Sequence, residues 1–248
     1  MSPKHLFPVR VRTPLHYPAQ RDERGLDMKN FYKKFKIVSK FPLWPSYLKR
    51  VYEKTITDSI DLVVIPINKR KNFTCLLCGV SGEITAYEFI KFVLSNNPES
   101  KIIIIDLGEE QIQSVKKLVK EKFSDINIDV KQANALNLSF IKDKSIDWID
   151  TDGFFSFFDE KELLSLFKEW KRIIRNDGYI TFRELTSHNV ISTLANKTRN
   201  IASEIYMGIE LHLHSLSELE EDFKKLHFQY NRGVSPIPLL DRYCLVND

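Results

Sequence analysis

A glycine-containing turn separates an apolar run of the sequence from a helical pattern. The run TCLLC ends at Cys78, Gly79-Val80-Ser81-Gly82 follows, and Glu83 opens the helical pattern. Glycine permits backbone conformations, and a close approach, that a side chain would block. The first N–H groups of the following helix point at whatever occupies such a turn. Turns of this kind cradle nucleotide cofactors, so the sequence predicts a cofactor loop here.

A carboxylate ends the next apolar run of the chain. Asp106 stands directly behind four isoleucines in the segment KIIIID. An acid at that position can accept hydrogen bonds from both hydroxyl groups of a ribose. A solvated acid at a strand end would serve folding equally well, but the glycine turn before it favours the ribose.

The elements that must position these residues alternate strictly from Phe73 onward. The predicted strands are FTCLLC, KIIIID, NIDVKQ, SIDWID, NDGYITFRE, FQYNRG and DRYCLVND. The predicted helices cover residues 83–94, 109–123, 160–174 and 189–206, and Ser215 opens a last helix in which Glu218 completes a capping box. Apolar strands that alternate with helices indicate a parallel sheet covered on both faces. Ligands bind at the carboxyl ends of the strands in such sheets, where the glycine turn and Asp106 both lie.

The first quarter of the chain differs in charge from the rest. Residues 1–72 carry a net charge of +10, although the whole chain carries +4. We predict a basic arm and helical lid over 1–72, with helices over 26–38 and from residue 46 to about 59, and a ligand-binding α/β domain over 73–248. The charge suits either a solvated face that docks on the acidic body or an anionic partner. The aromatic residues of this segment are expected to seal the site and line the acceptor pocket, or else to pack on the edge of the sheet; they are Phe31, Phe35, Trp44, Tyr47 and Tyr52.

The composition argues against several classes of protein. No apolar run approaches the ~18 residues of a membrane span, and the N terminus lacks the apolar region of a secretion signal. The three cysteines, Cys75, Cys78 and Cys244, do not make a disulfide framework. Cys75 and Cys78 lack the second ligand pair that zinc requires, and His212-x-His214 has no third ligand in view. We therefore expect a cytoplasmic protein without a metal site or a membrane partner.

The segment that follows the third predicted strand resembles the class I S-adenosylmethionine-dependent methyltransferases. That family has an acid-Ala-x-x-Leu-x-Phe turn here, then a strand, an apolar segment and a helix. This sequence has Asn134, Ala135, Leu138 and Phe140, and then Ile146-Asp147. NDGYI at 176–180 is similar to the family's turn into its fifth strand, and LHLHSLSELEEDFKKLHFQ to its last helix. The resemblance implies an α/β, Rossmann-like fold from Phe73 onward: a seven-stranded, mostly parallel sheet with an antiparallel C-terminal hairpin. The N-terminal helices would extend it.

The resemblance also implies S-adenosylmethionine as the cofactor and assigns positions to it. The turn at Gly79, Val80, Ser81 and Gly82 would face the methionine part. Asp106 would hold the ribose and Leu107 would lie against the adenine. Asn134 would accept from the adenine amino group, and Ala135 would offer its N–H to the ring.

The glycine turn departs from the pattern of the family. The family normally has three glycines and an acid in the strand before them, whereas Leu76 or Leu77 occupies the acid's place here. Glu83, which opens the helix, is the residue expected to substitute for that acid at the cofactor's amino group. The turn is therefore interpreted as a divergent cofactor loop. It lacks the third glycine and the spacing of a dinucleotide-binding turn.

Three residues after the fourth and fifth predicted strands are candidate catalytic residues. Asp152 is expected to border the pocket and to contact the cofactor or the acceptor. Glu184 or His188 would act as a base if the acceptor must lose a proton. For Glu184 and His188, a structural hydrogen bond is the competing interpretation.

Four functions fit these residues, and methyl transfer to a small molecule is favoured. An RNA or protein methyltransferase would use the basic arm as an electrostatic track, but the arm shows no recognised nucleic-acid module. Aminocarboxypropyl transfer or cyclisation of the same cofactor fits the unusual turn at the amino acid end. A scaffold that has lost the cofactor is the fourth.

Overall fold

The structure, a computed structural model, describes residues 42–62, 67–187, 189–207, 211–237 and 240–247. The arm at 1–25 and the predicted helix over 26–38 lie outside the described residues, and so does His188. No helix among the described residues is long and apolar enough to cross a lipid bilayer.

The described residues contain the seven strands that the sequence predicts and the helices predicted from residue 46 onward. The strands are β1 (Thr74–Cys78), β2 (Lys101–Asp106), β3 (Ile128–Gln132), β4 (Ile146–Asp152), β5 (Ile174–Glu184), β6 (Phe228–Val234) and β7 (Asp241–Asn247). The helices are α1 (Trp44–Asp61), α2 (Glu83–Asn96), α3 (Glu109–Lys122), α4 (Glu160–Ile173), α5 (Val190–Met207) and α6 (Leu216–Lys225). Short 3-10 helices lie at Ile67–Lys69 and Phe155–Phe157. The capping box of Ser215 and Glu218 is confirmed, and Asp159 and Glu162 form a second one before α4.

The strands form one sheet in the order β3-β2-β1-β4-β5-β7-β6. The first five strands in this order are parallel, and β7 runs antiparallel to both β5 and β6. This confirms the predicted fold class, including the C-terminal hairpin. The strand order reverses between β1 and β4, so the crevice at their carboxyl ends is where a ligand is expected.

The apolar strands supply both faces of the sheet at once. Leu76 and Cys78 belong to a cluster with α4 and α6, whereas Cys75 and Leu77 belong to a cluster with α1, α2 and α3. Successive strand residues point to opposite faces, which is why every position of the run must be apolar. Cys75 and Cys78 therefore lie on opposite faces, and both are free and buried.

Helix α1 shares its core with the sheet. Tyr47, Leu48, Val51 and Tyr52 are buried in the same cluster as β1 and α2. The ring of Tyr52 lies 6.3 Å from that of Trp148 on β4, edge to face. Tyr52 therefore packs on the face of the sheet at its central strand, not on the sheet edge. The division of the chain at residue 72 stays a prediction.

Candidate active site

Gly79 occupies a position that only glycine suits. Its φ angle is +77°, in the left-handed region, and its N–H donates to the carbonyl of Ile105 on β2. A Cβ added there would lie 2.8 Å from Cδ2 of Phe154, whose ring comes from the turn after β4. The group that approaches Gly79 closely is therefore the ring of Phe154, which borders the glycine turn.

Asp106 ties the turn after β1 to the turn after β2. The residue is only 5% exposed; its Oδ2 accepts from the Val80 N–H at 2.6 Å, and its Oδ1 accepts from the Gly108 N–H at 2.7 Å. The predicted ribose-binding carboxylate thus lies at the crevice and fixes the shape of the loops around it.

The predicted adenine-side residues lie next to Asp106. Leu107 directly follows it and is 38% exposed, so an apolar surface is available beside the carboxylate. The N–H of Ala133 donates to the carbonyl of Asp106, which brings the turn after β3 alongside. In that turn Asn134 is exposed and its Oδ1 accepts from the Leu136 N–H at 2.9 Å, while Ala135 is buried.

No carboxylate lies in β1, the strand before the turn that is predicted to face the methionine part of the cofactor. Leu76 and Leu77, at the place of the family's acid, are both buried. Glu83 is exposed, and its Oε1 accepts from the hydroxyl of Ser114 on α3. Ser81 instead shares a hydrogen bond with Thr85 at 2.9 Å, and the Trp44 indole donates to the same Thr85 hydroxyl at 3.3 Å. The start of α1 therefore lies beside the glycine turn.

A buried cluster of charges ends β4 and β5. Asp152 Oδ2 accepts from the Tyr47 hydroxyl at 2.9 Å, and Nε of Arg183 lies 3.4 Å from it. Arg183 is 1% exposed and also donates to both oxygens of Asp150, which is fully buried. Asp150 accepts from the Thr181 hydroxyl at 2.6 Å. Two carboxylates thus share one guanidinium away from water.

Burial sets the protonation of this cluster. Removing the Asp152 carboxylate from water raises its pKa from 3.8 to about 6, although the Arg183 charge and the Tyr47 hydrogen bond act in the opposite direction. Burial and the nearby Asp152 raise the pKa of the Tyr47 phenol, so Tyr47 stays a donor. A carboxyl group that titrates near neutral pH at the crevice is suited to proton transfer.

Glu184 and His214 hold the turn after β4. Glu184 is 2% exposed; its Oε2 accepts from the Phe155 N–H at 2.8 Å, and its Oε1 accepts from the Leu185 N–H at 3.1 Å. Nε2 of His214 lies 3.1 Å from the carbonyl oxygens of both Phe155 and Phe158, so this nitrogen carries the proton. These contacts match the structural interpretation of Glu184, and its role as a base stays a prediction.

Sequence reasoning missed two side chains next to these residues. Arg199, on α5, places Nη1 3.8 Å from Oε1 of Glu184. Thr85, on α2, joins Ser81 to Trp44 as described above. The signal for Arg199 was its place among polar residues at helical spacing, Ser192, Asn196 and Ser203, all buried. No comparable signal marked Thr85, since its role depends on where α1 packs.

Comparisons with known proteins agree with this fold. A family model described as a methyltransferase domain matches residues 85–178. No curated protein sequence matches the chain. An O-methyltransferase family protein from Burkholderia thailandensis has a similar structure, with a TM-score of 0.65 at 12% identity over 90% of this chain and 60% of that one. The present chain thus spans less than two thirds of that protein.

Two further solved structures are similar. An S-adenosylmethionine-dependent methyltransferase from Aquifex aeolicus gives a TM-score of 0.57 at 14% identity, over 86% of this chain and 96% of that one. A magnesium protoporphyrin IX methyltransferase from Synechocystis, with bound S-adenosylhomocysteine, gives 0.58 at 9% identity over 81% and 83%. At these identities the likeness shows the fold.

The family match and the fold together confirm the resemblance predicted from the sequence. The chain has the fold of the class I S-adenosylmethionine-dependent methyltransferases, with a methyltransferase domain over residues 85–178. The matched methyltransferase domain supports the predicted enzyme class and the predicted cofactor, S-adenosylmethionine.

Proposed function

We propose that the chain transfers a methyl group from S-adenosylmethionine to a hydroxyl group of a small molecule. The observation that carries the cofactor half of this proposal is the Asp106 carboxylate. It lies buried at the carboxyl end of β2, bound by the Val80 amide from the turn after β1 and by the Gly108 amide, with the exposed Leu107 beside it. A carboxylate next to an apolar surface suits the ribose and the adenine of one nucleoside.

The adenosine part fits these residues better than the amino acid part does. Asp106 would hold the ribose, Leu107 and Asn134 the adenine, and the backbone of Ala135 the ring edge. The turn at 79–82 would border the methionine part. At that end the chain offers the hydroxyl of Ser81 and, from α2, the carboxylate of Glu83. When bound, the cofactor supplies an activated methyl group on a sulfonium.

Asp152 is the residue we assign to the acceptor. A hydroxyl acceptor must lose a proton as its oxygen bonds to carbon, and a carboxylate within reach can take it. With a pKa of about 6, Asp152 is mostly ionised at neutral pH. Its side chain is 11% exposed and lies under Tyr47, so a small acceptor group reaches it more readily than a nucleic acid backbone does. The structural similarity to the Burkholderia O-methyltransferase family protein is consistent with an oxygen acceptor.

A second candidate function is aminocarboxypropyl transfer from the same cofactor. It is favoured by the absence of a strand carboxylate at Leu76 and Leu77, because a looser hold on the amino acid part would leave that part open to attack. The two reactions leave different products. Methyl transfer leaves S-adenosylhomocysteine, whereas aminocarboxypropyl transfer leaves methylthioadenosine.

Product analysis tests the proposal. The protein is incubated with S-adenosylmethionine labelled on the methyl group, together with a panel of phenols, catechols and aliphatic alcohols, or with total RNA. We expect label in a small-molecule ether and formation of S-adenosylhomocysteine, and we expect Asp152→Asn to abolish both. Label in RNA, or methylthioadenosine as the main product, would overturn the proposal.

A further inference from the structure

Helix α5 is amphipathic in the reverse sense, with its apolar face turned to solvent. Ser192, Asn196 and Ser203 are buried, and they recur at the spacing of one helix face. Asn196 Nδ2 donates to the Leu185 carbonyl at 3.1 Å and to the Ser187 hydroxyl at 2.8 Å. The polar face of α5 is therefore the one that packs on the end of β5.

The opposite face of α5 carries a stripe of large apolar side chains. Each exposes more than half of its surface: Val190 83%, Ile191 70%, Leu194 65%, Ile201 57%, Ile205 81% and Tyr206 52%. Thr198 lies in the middle of this stripe, and its hydroxyl donates to the Leu194 carbonyl of the same helix, so it presents a methyl group outward. We call these seven residues the α5 stripe.

The α5 stripe is large for a surface that stays in water. Six such side chains present on the order of 600 Å² of apolar surface, at the upper end of the ~300–600 Å² of the largest patch on a typical monomer. A standard interface buries ~800 Å² on each partner. The stripe therefore supplies most of what one side of a stable interface requires.

We propose that the α5 stripe is the interface of a homodimer, in which α5 of one protomer packs antiparallel on α5 of its partner. The reason is the symmetry of the stripe about Thr198. In a twofold pair centred there, residues whose numbers are equally far from 198 face each other, and an isologous interface requires this self-complementarity. Ile191 then faces Ile205 of the partner subunit.

The remaining positions pair large with small side chains. Leu194 faces Ala202 of the partner subunit, and Ile201 faces Ala195 of the partner subunit. Val190 faces Tyr206 of the partner subunit. Alternation of large and small residues lets two helices interdigitate. A stripe meant for an unrelated partner would not need this symmetry, so the spacing favours a second copy over residues 1–41 or a lipid surface.

The pairing would also act on the active site. Through Asn196 and Arg199, α5 contacts the end of β5, where Glu184 holds the turn after β4. A helix packed between its own sheet and a partner is held from both sides. This pairing does not depend on which group the enzyme transfers.

Light scattering during size exclusion tests the proposal with exposed, tolerant positions. We expect the full chain to elute with the mass of two chains from about 5 to 100 µM, as mass action allows for a stable dimer. Leu194→Glu should elute as a folded monomer. Val234→Glu is the matched control, because Val234 on β6 is 76% exposed and lies outside the stripe, so it should stay dimeric.

Charge pairing tests the geometry. Ile191→Lys combined with Ile205→Glu places opposite charges face to face twice in the dimer, whereas Ile191→Glu with Ile205→Glu places like charges there. We expect the first pair to dimerise more tightly than the second by at least tenfold in Kd. Thr198→Cys should form a disulfide-linked dimer under mild oxidation, since the native cysteines described are buried. A monomeric wild type, a dimer that Leu194→Glu leaves intact, or charge pairs of equal affinity would each overturn the proposal. If the wild type is a monomer and binds lipid vesicles, the stripe is a membrane-binding surface. If the wild type is a monomer and Leu194→Glu is less stable than it, the stripe is covered by residues 1–41.

Discussion

Asp152→Asn tests how burial and two neighbouring groups together set the pKa of the Asp152 carboxyl. Burial raises its pKa, whereas the Arg183 guanidinium and the Tyr47 hydroxyl lower it. Burial is the larger influence, and the result is a pKa of about 6 in place of 3.8. In a surface ion pair the charge of the partner would outweigh burial, and the pKa of the carboxyl would be lowered.

The sign of the stability effect follows from that difference. Since the folded pKa lies above the unfolded one, the folded state binds the proton more tightly. The stability gained in this way is fully present below about pH 4 and is lost as the pH rises through about 6. A difference of about 2 pKa units at 1.36 kcal/mol each corresponds to roughly 3 kcal/mol. Asparagine does not ionise, so the variant lacks this loss.

Urea denaturation at a series of pH values measures the effect. The free energy of unfolding of Asp152→Asn minus that of the wild type should rise by roughly 3 kcal/mol between about pH 4 and 6 and stay level above that. The attraction of Arg183 for the ionised carboxylate is already contained in the pKa of about 6, so it adds no further pH dependence to this difference. Asp125→Asn, at an exposed position, reports the effect of deleting a surface carboxylate. A difference that is constant with pH, or that falls as the pH rises, would refute the dominance of burial.

Three further substitutions test the contacts around the site. Gly79→Ala should destabilise the fold by about 2–4 kcal/mol, because of the left-handed backbone and the contact with Phe154. Adding Phe154→Ala should restore only the part of this loss that comes from the contact. A Gly79→Ala variant as stable as the wild type in thermal unfolding would contradict this. Tyr47→Phe removes a hydrogen bond to the Asp152 carboxylate, so at neutral pH it should lower the free energy of unfolding by about 2 kcal/mol. It should also move the loss of stability that accompanies Asp152 ionisation to a higher pH than in the wild type. A loss at the same pH as in the wild type, in the urea series, would count against the contact. Tyr52→Phe removes a buried hydroxyl that has no partner among the described residues, so urea unfolding should show no loss, or a gain of up to about 1 kcal/mol, and a clear loss would show that the hydroxyl is bonded.

The sequence predicted the sheet because each strand reports its own burial. The four residues IIII of KIIIID and the four residues CLLC of TCLLC are apolar without interruption, which only a strand covered on both faces requires. Ser215 with Glu218 marked a helix start through local chemistry alone. The position of Asp106 was predicted in the same way, because a carboxylate that directly follows an apolar strand must lie at the carboxyl end of that strand.

The details of the site depended on packing between distant segments. Tyr47 meets Asp152 across 105 positions of sequence, and nothing local to either residue announces the pair. Glu83 is the acid nearest to the glycine turn in sequence, yet its carboxylate is bound by Ser114 on the neighbouring helix. Glu184 carries two backbone N–H groups because the turn after β4 folds over it. Such contacts are set by where the helices pack.

Calorimetric titration with S-adenosylhomocysteine tests the central claim, that Asp106 holds the nucleoside at the carboxyl edge of the sheet. The wild type should bind with a stoichiometry of one per chain. Asp106→Asn, if folded by its thermal transition, should lose roughly 100-fold or more in affinity, since each hydrogen bond to a charged group contributes about 1.5–3 kcal/mol. Asp125→Asn should bind as the wild type does. Absence of heat with the folded wild type, or equal affinity of Asp106→Asn and wild type, would contradict the claim.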